Sequence, residues 1–501
     1  MTSLEQGTCA DPRADLWSPL AGGFWEGRWQ DGTRWMTVHD PEDGMPVGRV
    51  MDATDAEVER AVGYLVRHWQ STDWPLWQRR EALESAAHRL LHLEERFARL
   101  IAAEGCKTLV EARREVARAA DTLRVSARAA SELRGGTVPF DDTVRGAHWV
   151  GWYTREPVGV VGAITPFNDP LNLVAHKLGP ALVAGNPVIL KPAPATPLSA
   201  YALVDLLLEC GVPGTFLAVV AGADAGRAVV ADRRVDVISF TGGPRTADRI
   251  AAGGPARKLL MELGGNNAVI ACADSDPVEV ASAIVDGAFG VAGQNCLSVQ
   301  RAFIAAERFA EVLALVVEGA RSLKVGSKRE ESTDVGPLIR ESEAVRVREW
   351  LDEAVAAGAT LHTGGVRTGA FLTPAVLSGV PADASVRLQE VFGPVVSLEP
   401  FDRLEDAVAS ANAVDTGLQA GIFTKDLDVA LAVAARLRVG AVMVNESSDF
   451  RVDAMPFGGF KRSGIGREGP ESVVRELTEP KIVAVRRASG TLDTLVAAPR
   501  Q

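Results

Sequence analysis

Residues 158–240 constrain the fold more than any other part of the chain. Short apolar runs at 158–164, 187–190, 216–220 and 235–240 alternate with helical segments at 173–184 and 199–210. Runs that are apolar throughout, rather than at every second residue, read as strands buried on both faces. Strands of this kind separated by helices build a parallel, doubly wound α/β sheet. Such sheets take their ligands beyond the carboxyl ends of the strands. Asn168, Lys191 and the pair Gly242-Gly243 all fall just past a predicted strand end, so the sheet gathers them at one crevice. The region has no G-x-G-x-x-G motif, so the usual dinucleotide fingerprint is absent.

A second α/β unit starts at Asn266, with strands predicted near 268–271, 301–305, 395–398, 421–423 and 441–444. Before the first sheet, Phe24 to Trp29 and Trp35 to His39 predict a hairpin turning at Asp31-Gly32, its tryptophans packed on the body. Val58, Val62, Leu65 and Trp69 mark one helical stripe, and Leu83, Ala87, Leu90, Leu93, Phe97 and Leu100 a second. Residues 111–133 form a further helix carrying Arg113, Arg114 and Arg118 on a mixed face. A glycine-opened hairpin follows from Gly135 to Tyr153, and 481–485 is a closing strand too short to stand alone. The first stretch, 1 to about 20, is polar and irregular.

Composition narrows the function. Of 501 residues, 47% are hydrophobic and 24% charged, enough apolar mass for a large core. A net charge of −12 with no basic run argues against nucleic acid or an anionic membrane as partner, and no apolar run is long enough to span a bilayer. Cys9, Cys106, Cys210, Cys272 and Cys296 are odd in number and scattered, which points to a reducing cytoplasm rather than a disulfide framework. The N-terminus lacks a signal-peptide pattern. The seven histidines show no metal-ligand spacing, so no metal is expected.

One thiol and one carboxylate stand out, each set among glycines: Glu262-Leu263-Gly264-Gly265 and Gly293-Gln294-Asn295-Cys296, on either side of a helical segment at 277–289. A cysteine nucleophile needs a base nearby, and its acyl intermediate needs a group that activates water. These two motifs resemble the paired active-site signatures of the NAD(P)-dependent aldehyde dehydrogenase superfamily. Further matches follow in the same order: Thr165-Pro166-Phe167-Asn168, Leu190-Lys191-Pro192, Phe240-Thr241-Gly242-Gly243, Glu390-Val391-Phe392-Gly393-Pro394 and Pro456-Phe457-Gly458-Gly459-Phe460-Lys461.

The resemblance implies a Rossmann-like cofactor domain at 20–133 and 155–264, an α/β catalytic domain at 265–454, and a β oligomerisation arm at 134–154 and 478–490. The closing strand is expected to pair with a neighbouring subunit in a homodimer or homotetramer. Cys296 is the implied nucleophile, Asn168 and the Cys296 backbone N–H the oxyanion donors, and Glu262 the activator of water. Glu468 matches a second carboxylate near the water path, and a structural ion pair is the competing reading. For NAD or NADP, Thr165, Phe167, Lys191, Gly242, Gly243, Glu390 and Phe392 match cofactor positions. Pro194 stands where NAD-preferring relatives often carry Glu, so the choice of dinucleotide stays open.

Matching positions in the substrate pocket hold Asp169, Asn172, His176, Asn295 and Leu297, with Arg113 and Arg451 at the mouth. This polar lining resembles the lactaldehyde and phosphonoacetaldehyde dehydrogenase branch, although Asp169 and Asn295 depart from its phosphonate-binding pattern. The expectation is oxidation of a small anionic or hydroxylated aldehyde to its acid. The alternatives are a semialdehyde dehydrogenase acting on a carboxylated chain and a non-catalytic binding or structural member of the family.

Overall fold

The computed structural model describes residues 20–487. The polar stretch 1–19 and the last residues of the expected arm, 488–490, lie outside it.

The first α/β unit is built on an eight-stranded sheet. Its parallel centre runs in the spatial order Lys258–Glu262, Val237–Thr241, Val161–Ile164, Val188–Lys191, Leu217–Val219. The chain starts at Val161–Ile164, winds outward one way, then returns to wind the other way, as the apolar runs predict. Helices cover both faces. One core holds Leu90, Phe97, Leu123 and Leu178, and the other holds Val62, Leu65, Val229 and Ile250. The helix Asn172–Ala184 is buried along its whole length, which is why its sequence is apolar all round instead of striped. Gly185 ends it in the left-handed conformation (φ 89°) that glycine adopts without a Cβ penalty.

A seven-stranded sheet organises the second unit. Ala375–Ser378, Val395–Phe401, Val299–Ala305, Asn267–Ala271, Gln419–Phe423 and Ala441–Val444 run parallel in that order, and Thr360–Thr363 pairs antiparallel at the edge. Only Leu263 to Asn266 separate the carboxyl end of a strand in the first sheet from the amino end of a strand in the second.

The structure departs from the sequence reading at several places. Gly23–Trp25 turns directly onto Arg28–Gln30 through Glu26 and Gly27, both at positive φ (57° and 70°), the geometry of a tight hairpin turn. Trp35–His39 pairs instead with Pro46–Met51, so the expected hairpin across Asp31-Gly32 is two separate ones. The stripe from Leu83 to Leu100 is broken at Leu93, which ends the helix Leu76–His92 and precedes Glu94–Glu104. Near its C-terminus the chain returns to the first unit. Gly464–Ile465 pairs antiparallel with Lys258–Glu262, and Pro470–Glu476 places Val473 and Val474 in the first core. Thr478–Arg486 pairs along its length with Trp149–Pro157 of the same chain, forming a three-stranded sheet with Gly136–Thr137. The expected pairing with a neighbour can therefore use only its other edge.

Candidate active site

A cavity of about 1060 Å³ receives residues from both units. Its floor is the switch point of the first sheet, where Val161–Ile164 and Val237–Thr241 lie side by side and their continuations diverge. Thr165 to Asp169 leaves on one side and Gly242-Gly243 on the other, while Lys191 and Glu262 end the flanking strands. Cys296 enters from the amino edge of Val299–Ala305 in the second sheet. Cys296, Glu262 and Asn168 thus line one space, as do Thr165, Phe167, Lys191, Gly242, Gly243, Glu390 and Phe392.

The loop before Cys296 is wound against its own preferences. Val291, Ala292 and Gly293 are left-handed in succession, with φ of 53°, 52° and 69°. For a non-glycine residue this costs on the order of 1–3 kcal/mol, so the surroundings must enforce it. Glu111 accepts the Val291 N–H at 2.7 Å, and the Gln294 side chain accepts the Ile339 N–H at 2.8 Å. Asn267 donates to the Cys296 carbonyl at 2.8 Å. A Cβ at Gly293 would stand 2.1 Å from the Gly393 carbonyl oxygen, so only glycine fits. Glu111 is a double anchor, because its other oxygen accepts the Thr108 N–H in a capping box at the start of Leu109–Arg128.

Burial pushes the Cys296 thiol above its ordinary range, and Arg451 pulls the other way. The resting group is therefore the thiol, and attack on a substrate needs a base. Glu262 is 6% exposed and its Oε2 has no partner among the described residues. Burial first, then the neighbouring Glu468 charge, raise its carboxyl well above the usual range, making its ionised form a stronger base. Asn168 is 5% exposed and offers a side-chain amide to the same cavity.

One wall, with Lys191 from the first sheet and Glu390 from the loop before Val395–Phe401, carries charges that form no ion pair among the described residues. Among the described residues no ion pair or side-chain hydrogen bond engages the Lys191 ammonium, and burial alone draws it down to about 8. Glu390 has one protein donor, the Gly265 N–H at 3.0 Å, and burial lifts it to about 7. A Cβ at Gly264 would overlap that carboxylate, at 2.0 Å from an oxygen. Gly243 caps the helix Pro244–Gly253 with open space where its Cβ would be. Phe167 and Phe392 meet edge to face, with centroids 5.7 Å apart. A buried cation, a half-buried carboxylate and a bare helix start fit a ligand with hydroxyls and phosphates.

Charges on the opposite wall are paired. Lys107 lies between Asp169 and Glu115, the latter at 2.7 Å; burial opposes its charge, but the two carboxylates outweigh burial and raise it. Glu115 also accepts the Leu171 and Asn172 N–H groups at 2.8 and 3.0 Å, fixing the start of the buried helix beside Asn168. Arg118 grips Asp453 with two bonds of 3.0 and 3.2 Å, and Asp453 accepts from His176 Nε2 at 2.9 Å. Arg451 donates to Glu468 at 2.9 Å and lies 3.9 Å over the Phe457 ring.

Three residues expected at the substrate pocket do not line the cavity: Arg113, His176 and Asn172, the last fully buried and donating to Asp453 at 3.2 Å. Arg113 faces away, held by Glu95 and Glu331 at 2.7–2.8 Å. The neighbouring stripe Glu111, Arg114, Glu115 and Arg118, at helical spacing, lines the cavity instead. His176 is fully buried behind the wall and kept neutral mainly by burial. Asp169, Asn295 and Arg451 do line the cavity, although Arg451 is committed to Glu468. Sequence reading also passed over Lys107, Glu115, Asp449 and Asp453. For Arg114 the signal was present in the stripe, whereas the others are recognisable only as partners.

A family model described as "Aldehyde dehydrogenase family" matches residues 29–483. The chain is 43% identical to an aspartate-semialdehyde dehydrogenase of Pseudomonas canavaninivorans, over 89% of this chain and 96% of that one. It is 41% identical to a 3-sulfolactaldehyde dehydrogenase of Priestia aryabhattai, over 93% and 98%. Among solved structures it resembles the NADP-dependent glyceraldehyde-3-phosphate dehydrogenase of Bacillus halodurans complexed with NADP, with a TM-score of 0.91 and 33% identity over 93% of this chain and 99% of that one.

Proposed function

The chain belongs to the aldehyde dehydrogenase family, and from that premise we propose that it oxidises a short anionic aldehyde to the carboxylic acid with NAD or NADP. The observation that carries the proposal is the convergence of Cys296, Glu262 and Asn168 on one cavity that Arg114 also lines, with no ion-pair partner among the described residues. Arg118, Lys107 and Arg451 are all held by carboxylates, so Arg114 is the cation left to meet an anion from outside. The relatives support this reading: sulfolactaldehyde, aspartate semialdehyde and glyceraldehyde 3-phosphate are all anionic aldehydes.

The chemistry follows from the groups present. Glu262 takes the thiol proton and Cys296 Sγ adds to the carbonyl carbon, leaving an alkoxide that accepts hydrogen bonds from the Asn168 amide and the Cys296 backbone N–H. The bound dinucleotide supplies the hydride acceptor, and Lys191, Glu390, Gly242 and Gly243 would hold its polar groups, with Phe167 and Phe392 beside its ring. The acyl group then rests on Cys296 as a thioester. After passing the thiol proton to solvent, Glu262 removes a proton from water, whose oxygen attacks the acyl carbon; that proton goes to the departing thiolate, releasing the acid and the free thiol. Lys191, Ala193 and Pro194 place no carboxylate on the dinucleotide side, so a 2′-phosphate meets no repulsion there and both cofactors are accepted.

The oligomer reading has its own support. The outer edge of Thr478–Arg486 has no partner among the described residues, and Ile482, Val483 and Val485 are exposed on it, the kind of edge a second copy covers. Cys106, Cys210, Cys272 and Cys296 are free, in keeping with a cytoplasmic location.

The test is NAD(P)H formation by the purified protein with a panel of short aldehydes. Anionic members should be preferred over propanal by at least about tenfold in kcat/KM, the size of one charge-assisted bond. Equal use of propanal would remove the anionic substrate from the proposal while leaving the family chemistry intact.

A further inference from the structure

Asp449 is a cavity carboxylate that no cation holds in an ion pair among the described residues. It lies in the loop after Ala441–Val444, and its Oδ1 accepts a hydrogen bond from the Asn295 side-chain amide. Asn295 is fixed at its other end, where Oδ1 accepts the Leu297 N–H at 3.1 Å and stands 3.8 Å from the Cys296 sulfur. Asp449 is thus one side chain removed from the nucleophile. Its second oxygen takes no hydrogen bond from the described residues. Arg118 makes its two hydrogen bonds to Asp453 and none to Asp449. Burial pushes the Asp449 carboxyl up to about 7 against the pull of Arg118. Other carboxylates on this wall are answered: Asp169 has Lys107 against it, and both oxygens of Glu111 accept backbone N–H groups.

Asp449 is half-buried at the cavity, so water can donate to its second oxygen until a ligand displaces that water, and the cost then falls on a ligand that brings no donor of its own. The protein itself supplies one neutral donor, the Asn295 amide. We propose that the substrate carries, between its aldehyde and its anionic end, a hydroxyl or ammonium group that donates to Asp449. Asp449 is then a specificity residue, and with Arg114 it defines the class: an anionic short-chain aldehyde with a hydrogen-bond donor on its backbone. This rests on the reading of the cavity as an anionic-aldehyde site. A plain semialdehyde would leave Asp449 unpaired when it displaces water from the cavity, and so would bind less well.

The experiment measures kcat/KM of the enzyme with cofactor for butanedioic semialdehyde and for its amino- and hydroxy-substituted forms. In the wild type the better substituted form should exceed the plain one by roughly tenfold to a hundredfold, the worth of a hydrogen bond to a charged group. In Asp449→Asn that ratio should collapse to about one. A disturbance of Asn295 would slow every substrate alike and change the rate at which iodoacetamide alkylates Cys296, so the ratio separates the two effects. A wild type indifferent to the substituent, or an unchanged ratio in the variant, overturns the assignment, and the first of these needs no variant to fold. Preference for the amino form identifies an ammonium and preference for the hydroxy form a hydroxyl; either supports the proposal. Oxidation of propanal but of none of the anionic aldehydes would instead sink the anionic reading on which it rests.

Discussion

On one wall of the cavity Lys191 is buried and Glu390 half-buried, neither in an ion pair among the described residues, while on the other Lys107, Arg118 and Arg451 each face a carboxylate within hydrogen-bonding distance. Both walls are polar, but their charges are arranged differently. An unanswered buried charge gains most from a ligand, so the first wall is the one proposed to take the dinucleotide. Paired charges gain little, and instead fix the backbone they touch: Glu115 holds the helix start beside Asn168, and Glu111 holds the strained loop that presents Cys296. Specificity on that second wall is left to the groups outside the pairs, Arg114 and Asp449.

The largest effect is expected where the walls meet. Cys296→Ala should lower oxidation by about a thousandfold or more, since the covalent route is lost, while NAD(P) binding measured by fluorescence titration stays within about twofold. Loss of cofactor binding in the same variant would make the thiol part of the first wall.

Exchanging the two buried lysines tests the contrast itself. Lys107→Met leaves Glu115 and Asp169 without their cation, and breaking a buried pair costs about 3–5 kcal/mol, so the midpoint of urea unfolding should fall sharply. Lys191→Met removes a buried charge that has no partner and should leave the midpoint unchanged or raise it, while abolishing the thermal stabilisation that NAD(P) confers. If both variants unfolded alike, Lys191 would have a protein counter-charge after all and the contrast would fail.

What the sequence reveals of this arrangement divides along the same line. Strands and their ends are legible because a buried parallel strand has to be apolar from end to end, so Asn168, Lys191, Gly242 and Gly243 could be placed at the crevice from pattern alone. The roles of Cys296, Glu262, Thr165 and Glu390 came from the resemblance. Pairing is not legible, since nothing in a linear pattern says that Lys107 lies against Asp169, sixty-two residues away, or that Arg113 is spent on Glu95 and Glu331. Arg113 and Arg114 differ by one step of 100° on a helix, enough to send one out of the cavity and the other into it. Turn chemistry misled at Asp31-Gly32 because Glu26-Gly27 supplies the two positive φ angles that a tight hairpin needs.

Glu262 titrates between the walls, and its effect on rate is smaller than that of Cys296. Glu262→Gln should still give a burst of NAD(P)H, followed by turnover about a hundredfold slower, if the thiol finds another proton acceptor and only the activation of water is lost. Because burial and Glu468 raise its carboxyl above the ordinary range, the wild-type rate should climb with pH through that raised value: the protonated acid cannot act as base, and the ionised form gains population as pH rises. The acid limb should disappear in Glu262→Gln. A burst that shrinks together with the steady rate would mean that no other group replaces Glu262 as acceptor of the thiol proton.

The smallest effects separate neighbours on one helix. Arg114→Ala should cost roughly tenfold in kcat/KM for an anionic aldehyde, since an exposed guanidinium at a cavity mouth is partly screened by water and salt, and the loss should shrink as ionic strength rises. For propanal the same change should cost less than about twofold, because a neutral chain has nothing to offer the guanidinium. Arg113→Ala removes two surface ion pairs, each worth about 0–1 kcal/mol, and should move stability slightly with no preference among substrates. The informative quantity is the ratio of anionic to neutral kcat/KM in each variant. If Arg113→Ala changed that ratio and Arg114→Ala did not, the cation that meets the substrate would be the one its carboxylates hold, and paired charges on the second wall could no longer be regarded as withdrawn from binding.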